Sequence, residues 1–178
     1  LSFVPQMNER SQFAKFCFQS DGMFSRYEVA ARIALPGLGF TSIRVCPSSM
    51  PVRTSGSLRT APASAANEFL GLQIEPNGTL TLTDRTNGQV YRDLLMFEHR
   101  SEIADGWFHA HSLNDEQLLS TGSRAEIAVV HEGPELVTFR STIILVVPLG
   151  LDEASQRPTR ESIELPITSL ITLRKGAR

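Results

Sequence analysis

The stretch Leu72-Gln73-Ile74-Glu75-Pro76-Asn77-Gly78-Thr79-Leu80-Thr81-Leu82-Thr83-Asp84-Arg85-Thr86-Asn87-Gly88-Gln89-Val90-Tyr91 decides the fold. Leu72 and Ile74 alternate with polar neighbours up to Pro76, and Leu80 and Leu82 alternate with threonines after Asn77-Gly78. A two-residue period belongs to a half-buried strand, whose successive side chains point to opposite faces of a sheet. Asn-Gly between two such runs predicts a hairpin, because both central residues of a type I′ turn need positive φ. Asn87-Gly88 repeats the device ahead of Val90 and Tyr91, so the reading is a three-stranded meander.

The same period recurs on either side, while helical periodicity is almost absent. Toward the N-terminus, Arg26 to Ala34 reads as a strand, Leu35-Pro36-Gly37-Leu38-Gly39 as a turn, and Phe40 to Cys46 as the next strand. Pro47 to Ala66 carries Pro, Ser, Thr, Gly and Ala with few large apolar residues; too little apolar surface offsets the entropy of ordering, which predicts a linker or mobile loop. Toward the C-terminus, Asn114 to Leu119 reads as one helical turn capped by Asn114. Ala125, Ile127, Val129 and His131 share a strand face, and Glu132-Gly133-Pro134 is a turn. Leu136 to Val147 is a long strand whose apolar end, Ile143-Ile144-Leu145-Val146-Val147, is expected to be buried on both sides. After a polar connection over residues 149–160, Ile163, Leu165, Ile167, Ser169, Ile171 and Leu173 line one face of a last strand. Short strands between Gly, Pro and Asn punctuation are the pattern of an all-β, antiparallel β-sandwich.

Composition removes several functions. The 17 basic residues are scattered and balanced by 19 acidic ones, which leaves no electrostatic footprint for nucleic acid. No apolar run approaches the roughly 20 residues of a membrane helix, and no charged and apolar leader opens the chain. A length of 178 residues suffices for a core without staples. Cys17 and Cys46 stand in apolar, strand-like surroundings outside any CxxC or Cys/His pattern, and read as small buried hydrophobes of a cytoplasmic protein rather than a disulfide. Beginning with Leu1 and ending at a turn after Leu173, the chain reads as a piece of something longer.

The candidate site is Phe97-Glu98-His99-Arg100-Ser101-Glu102-Ile103-Ala104-Asp105-Gly106-Trp107, which gathers three carboxylates, a His, an Arg and the single Trp within eleven residues. A large aromatic is normally assigned to a core or to a ligand. Glu98, Glu102 and Asp105 are candidates for an acid and base pair, because crowded carboxylates raise one another's pKa; the plainer reading is a solvated acidic turn whose Trp plugs the edge of the sandwich. His109-Ala110-His111 puts two imidazoles on one face, a spacing that can hold zinc, but no third ligand stands at a telling distance in sequence.

Taken in order, these segments resemble the β-rich region of the glycoside hydrolase family 38 α-mannosidases. Leu35-Pro36-Gly37-Leu38-Gly39-Phe40, Asn67-Glu68-Phe69, the run from Asn77 to Gly88, the acidic segment from Phe97, and Glu161-Ser162-Ile163-Glu164-Leu165-Pro166-Ile167 with Leu173-Arg174-Lys175-Gly176 follow the family's sequence of motifs over nearly the whole chain. The resemblance implies a small β domain and linker over 1–60 and the first part of a galactose-mutarotase-like supersandwich over 61–178. It implies a parent enzyme that cleaves α-mannosides with retention, whose zinc and catalytic carboxylates lie in a separate N-terminal domain. No residue here therefore takes a catalytic or metal-ligating role. In the family the acidic loop follows F-E-D-x-G-D-x-G-D-x-Y and reaches the rim of the sugar site, which implies substrate contacts from Glu98, Asp105 and Trp107. His99 stands where an Asp is usual, Ser101 and Ala104 replace glycines, Glu102 replaces an Asp, and Trp107 replaces a Tyr.

Three functions compete at this stage. The first is a non-catalytic portion of an α-mannosidase that completes its sugar-site rim. The second is a stand-alone carbohydrate-binding module, which needs an exposed aromatic platform. The third is a mutarotase-like aldose epimerase working through a His acid and a Glu base, for which fold analogy is the whole warrant.

Overall fold

The computed structural model describes residues 15–20, 23–28, 33, 37–44, 55–103, 106–112, 114–152, 154–155 and 157–178, with the backbone alone for 15–20 and 23–28. Strands β1 (Lys15–Ser20) and β2 (Met23–Glu28) form an antiparallel pair. The strand expected over Arg26 to Ala34 thus begins earlier, and Ile33 lies outside any strand. Residues 40–44 are irregular rather than extended into a ladder, with Phe40 and Leu38 exposed. Among the described residues no strand pairs with them, and alternation alone does not make a ladder. Pro36, Cys46 and the side chain of Cys17 lie outside the described residues.

Five strands form the first large sheet: β3 (Arg59–Ala61), β4 (Ser64–Ala66), β5 (Leu70–Ile74), β6 (Leu80–Asp84) and β7 (Val90–Leu94), each antiparallel to the next in sequence. The meander over β5, β6 and β7 is as expected, with Leu72 opposite Leu82 and Ile74 opposite Leu80. The turn chemistry differs. Gly78 alone is left-handed at φ +86, and its N–H donates to the Glu75 carbonyl at 2.9 Å. Pro76 and Asn77 therefore occupy an ordinary turn closed by a left-handed glycine, because Pro favours the first central position of such a turn and cannot adopt positive φ. The expected type I′ turn is excluded.

Strands β3 and β4 replace the linker expected from Pro47 to Ala66 over residues 59–66, while residues 47–54 lie outside the described residues. Small side chains let backbones approach closely, and Ala65 is fully buried opposite Leu72. The Ala66 N–H donates to the Leu58 carbonyl and the Ile74 N–H to the Ala63 carbonyl, both at 2.9 Å. Backbone pairing, rather than large apolar side chains, orders these residues.

Next come β8 (Glu98–His99) and β9 (Leu118–Leu119), a short antiparallel pair, and a 3₁₀ turn over Ser120–Gly122. The helical turn expected over Asn114 to Leu119 is replaced by β9, with the turn falling just after it. The second large sheet contains β10 (Glu126–Glu132), β11 (Leu136–Pro148) and, beyond a small ladder of β12 (Leu151–Asp152) with β13 (Arg157–Pro158), β14 (Ser162–Arg174). Their order is β10-β11-β14, all antiparallel.

The two large sheets share one core. Ala65, Leu72 and Ile74 from the first meet Val137, Phe139 and Leu173 from the second, flanked by Leu80, Leu82, Ile127, Val129 and Ile171. This is the expected antiparallel sandwich. Ile163 through Leu173 share the face opposite Val147 through Val137, as the period of two requires, but it is covered only from Ile167 onward, and Ile163 and Leu165 are exposed. Two details differ. Ile144 and Val146 are half-exposed, so the apolar end of β11 is covered on one face only. A bulge between Val129 and His131 places His131 opposite Thr138, whose hydroxyl bonds Thr172 on the outward side. His131 thereby leaves the face of Ile127 and Val129. Among the described residues no helix is long and apolar enough to cross a membrane.

Candidate functional site

Residues 97–119 leave the first sheet through a backbone that few side chains adopt. Asp93 at φ 55 and Leu95 at φ 61 are left-handed non-glycine residues at the end of β7, a conformation costing roughly 1–2 kcal/mol each. The chain then runs out along β8 and returns along β9. Ser120, fully buried, clamps the base: its N–H donates to the Phe97 carbonyl and its Oγ accepts from the Phe97 N–H, both at 2.9 Å. Asn77 Nδ2 donates to the Thr121 carbonyl at 3.4 Å, tying the base to the turn between β5 and β6.

Further out, Glu102 faces His111 in an isolated antiparallel bridge, and the Ile103 N–H donates to the Ala110 carbonyl at 3.0 Å. One carboxylate oxygen of Glu102 accepts from the Ala110 N–H at 2.7 Å, and the other lies 3.0 Å from His109 Nδ1. Asp115 mirrors this from the returning side: its carboxylate accepts from the Ser101 N–H at 2.8 Å and lies 3.9 Å from His111 Nδ1. Glu98 is paired with Arg100. Glu98, Glu102 and Asp115 thus each engage a different partner along the hairpin.

Trp107 is 88% exposed and Phe108 76% exposed at the far end, and Ile103 is half-exposed. An indole so placed does not plug the sandwich edge. Asp105, the third substrate-contact candidate, lies outside the described residues. Glu98 thus stands in β8 opposite Leu119 at the base of the hairpin, and Trp107 lies beyond the Glu102–His111 bridge. Sequence reading missed Phe108, next to Trp107, and the bracing roles of Glu102 and Asp115. The signal for those was the pair of acidic residues flanking His109-Ala110-His111, which reads as charge until the two arms are placed side by side.

His109 and His111 are taken up by different carboxylates, and among the described residues no three His, Cys, Asp or Glu side chains are grouped to hold a metal ion. The described residues do not fit zinc.

No family model matches the sequence, and no curated protein matches it. Solved structures do. The crystal structure of an alpha-mannosidase from Enterococcus faecalis V583 superposes with a TM-score of 0.66 at 21% identity, covering 70% of this chain and 16% of that one. A protein in the glycosyl hydrolase family 38 from Enterococcus faecalis gives a TM-score of 0.67 at 21% identity, covering 73% of this chain and 17% of that one. The resemblance expected from the sequence is present in the fold, and this chain spans about one sixth of the length of those proteins.

Proposed function

We propose that this chain is a non-catalytic β-sandwich portion of a zinc-dependent, retaining α-mannosidase, in which the 97–119 hairpin completes the rim of the sugar site. The observation that carries this reading is the hairpin holding Trp107 out to solvent, on a sandwich with the fold of part of two glycoside hydrolases. Aromatic faces suit the C–H side of a sugar ring, and the indole N–H adds one donor. In this reading Trp107, Asp105 and Glu98 contact the α-mannoside. Retaining hydrolysis needs two carboxyl groups about 5 Å apart across the scissile bond; these and the zinc come from a catalytic domain elsewhere in the parent protein.

The test is hydrolysis of an aryl α-mannoside, with and without added zinc, by the 178-residue chain and by the full-length gene product. Turnover by the full-length protein alone is expected. Turnover by the chain alone, or by neither, overturns the proposal.

The exposure of Phe108 beside Trp107 favours a second reading, a self-sufficient carbohydrate-binding module using both rings as its platform. That reading predicts saturable quenching of Trp107 fluorescence by methyl α-mannoside on the isolated chain.

A further inference from the structure

Glu102 is exposed, yet it has two geometric relations to the returning arm. Its two oxygens are used separately, one by the Ala110 N–H at 2.7 Å and one by His109 Nδ1 at 3.0 Å, so the carboxylate spans the returning arm. Its own backbone stands in the bridge to His111, and the next residue's N–H bonds the Ala110 carbonyl. Glu102 therefore closes the turn that carries Trp107 and Phe108, both from its side chain and from its main chain. Asp115 fixes the previous step, holding the Ser101 N–H at 2.8 Å with a carboxylate that is largely covered. Ile103, Trp107 and Phe108 of the tip are exposed. Among the described residues, these two carboxylates brace the arms that carry it.

We propose that Glu102 is a positioning residue: it sets the direction in which Trp107 is presented, and Asp115 braces the arm from which Glu102 acts. The assignment rests on the rim reading for its purpose, since an orienting brace matters where the indole must meet a ligand in one orientation. A carboxylate accepting a backbone N–H bonds it more strongly than a neutral acceptor. It also holds the ring of His109, which precedes Ala110 and follows Phe108, so the aromatic tip is gripped from its C-terminal side. A glutamate reaches across here, where an aspartate, one methylene shorter, reaches less far.

The experiment reads the single Trp of the 178-residue chain by steady-state fluorescence anisotropy, in the parent chain and in Glu102→Ala, Glu102→Gln and Asp115→Ala variants. Far-UV circular dichroism and the thermal midpoint establish that the sandwich is retained in each. The expected result is a loss of anisotropy in Glu102→Ala, a smaller loss in Asp115→Ala, and recovery in Glu102→Gln, whose amide oxygen still accepts from Ala110 while its NH2 reaches His109. Anisotropy unchanged in Glu102→Ala overturns the proposal, and so does a Glu102→Gln variant as loose as Glu102→Ala. A mannoside titration separates this from the rim reading. If Trp107 loosens in Glu102→Ala while Trp107→Ala in the full-length protein leaves KM for an aryl α-mannoside unchanged, the brace stands and the rim reading falls. If Trp107→Ala raises KM and Glu102→Ala does not, the rim reading stands and the brace falls.

Discussion

The carboxamide of Asn67 holds the backbone of Arg174 across 107 residues of sequence, its Nδ2 donating to the Arg174 carbonyl at 2.7 Å and to the Ala177 carbonyl at 2.9 Å. The same side chain's Oδ1 accepts from the N–H groups of Phe69 and Leu70 at 2.8 and 2.7 Å. Around it the Gly176 N–H donates to Glu68, and the Arg178 guanidinium lies 4.3 Å from the centre of the Phe69 ring. Asn67 is buried and thus joins the β4–β5 turn to the end of β14 with every polar atom used. Replacing it by alanine leaves buried groups unpaired, and each unpaired group costs about 1–3 kcal/mol. Asn67→Ala is expected to lower the urea midpoint strongly, and Asn67→Asp at neutral pH to lower it further, because a carboxylate would face two carbonyl oxygens.

Two glycines with the same left-handed backbone separate strain from crowding. Gly88, at φ +78, has open space around an added Cβ, whereas at Gly78, φ +86, that Cβ would stand 2.7 Å from Cγ2 of buried Ile143. Gly88→Ala should cost the backbone strain alone, about 1–2 kcal/mol. Gly78→Ala should cost clearly more, since the methyl of a β-branched core residue cannot swing aside. Equal unfolding midpoints for the two variants would show that the turn slides away from β11.

Leu95 sits at φ 61 where the hairpin begins. Glycine adopts that conformation freely, against a loss of about 0.4–1 kcal/mol from the greater freedom of the unfolded chain. Leu95→Gly should therefore leave stability unchanged or raised. A thermal midpoint that falls by several degrees would mean that the half-exposed Leu95 side chain contributes more packing than its backbone costs.

Acid should loosen the turn between β6 and β7. The Asp84 carboxyl is held below the usual carboxylate range, first by the Thr86 hydroxyl, with the backbone N–H groups of Thr86 and Asn87 and the charge of Arg178 acting in the same sense. A depressed folded-state pKa stabilises above the unfolded value of 3.8 and loses that contribution as pH falls through the folded value. Thr86→Val should raise the Asp84 pKa toward 3.8, followed by carboxyl NMR titration. Asp152, held down by the Ser155 hydroxyl, should respond in the same way to Ser155→Ala.

Trp107 should be dispensable for folding. At 88% exposure it buries almost nothing, and substitutions on such surfaces usually stay within about 0.5 kcal/mol. Trp107→Ala is expected to leave the urea midpoint in place while abolishing any mannoside response. A large drop in stability would return the indole to the core reading.

The sequence by itself determined the sandwich and its strand faces. Alternation over Leu72 to Leu82 and Ile167 to Leu173 admits one covered face each, because a slip of one residue would turn the whole apolar set to water. It also located the acidic hairpin and its Trp, through a concentration of residue types that no ordinary strand carries. Tertiary structure alone decided what depends on a neighbour. Ala65 is a core residue only because the facing sheet approaches it, and residues 40–44 alternate without a ladder among the described residues. The bulge that turns His131 outward is set by its pairing with β11. Above all, Glu102 became a brace and Asn67 a latch through partners brought across a hairpin and across the whole chain. Periodicity reports which face of an element is buried; a hydrogen bond depends on which atoms the finished fold sets about 3 Å apart.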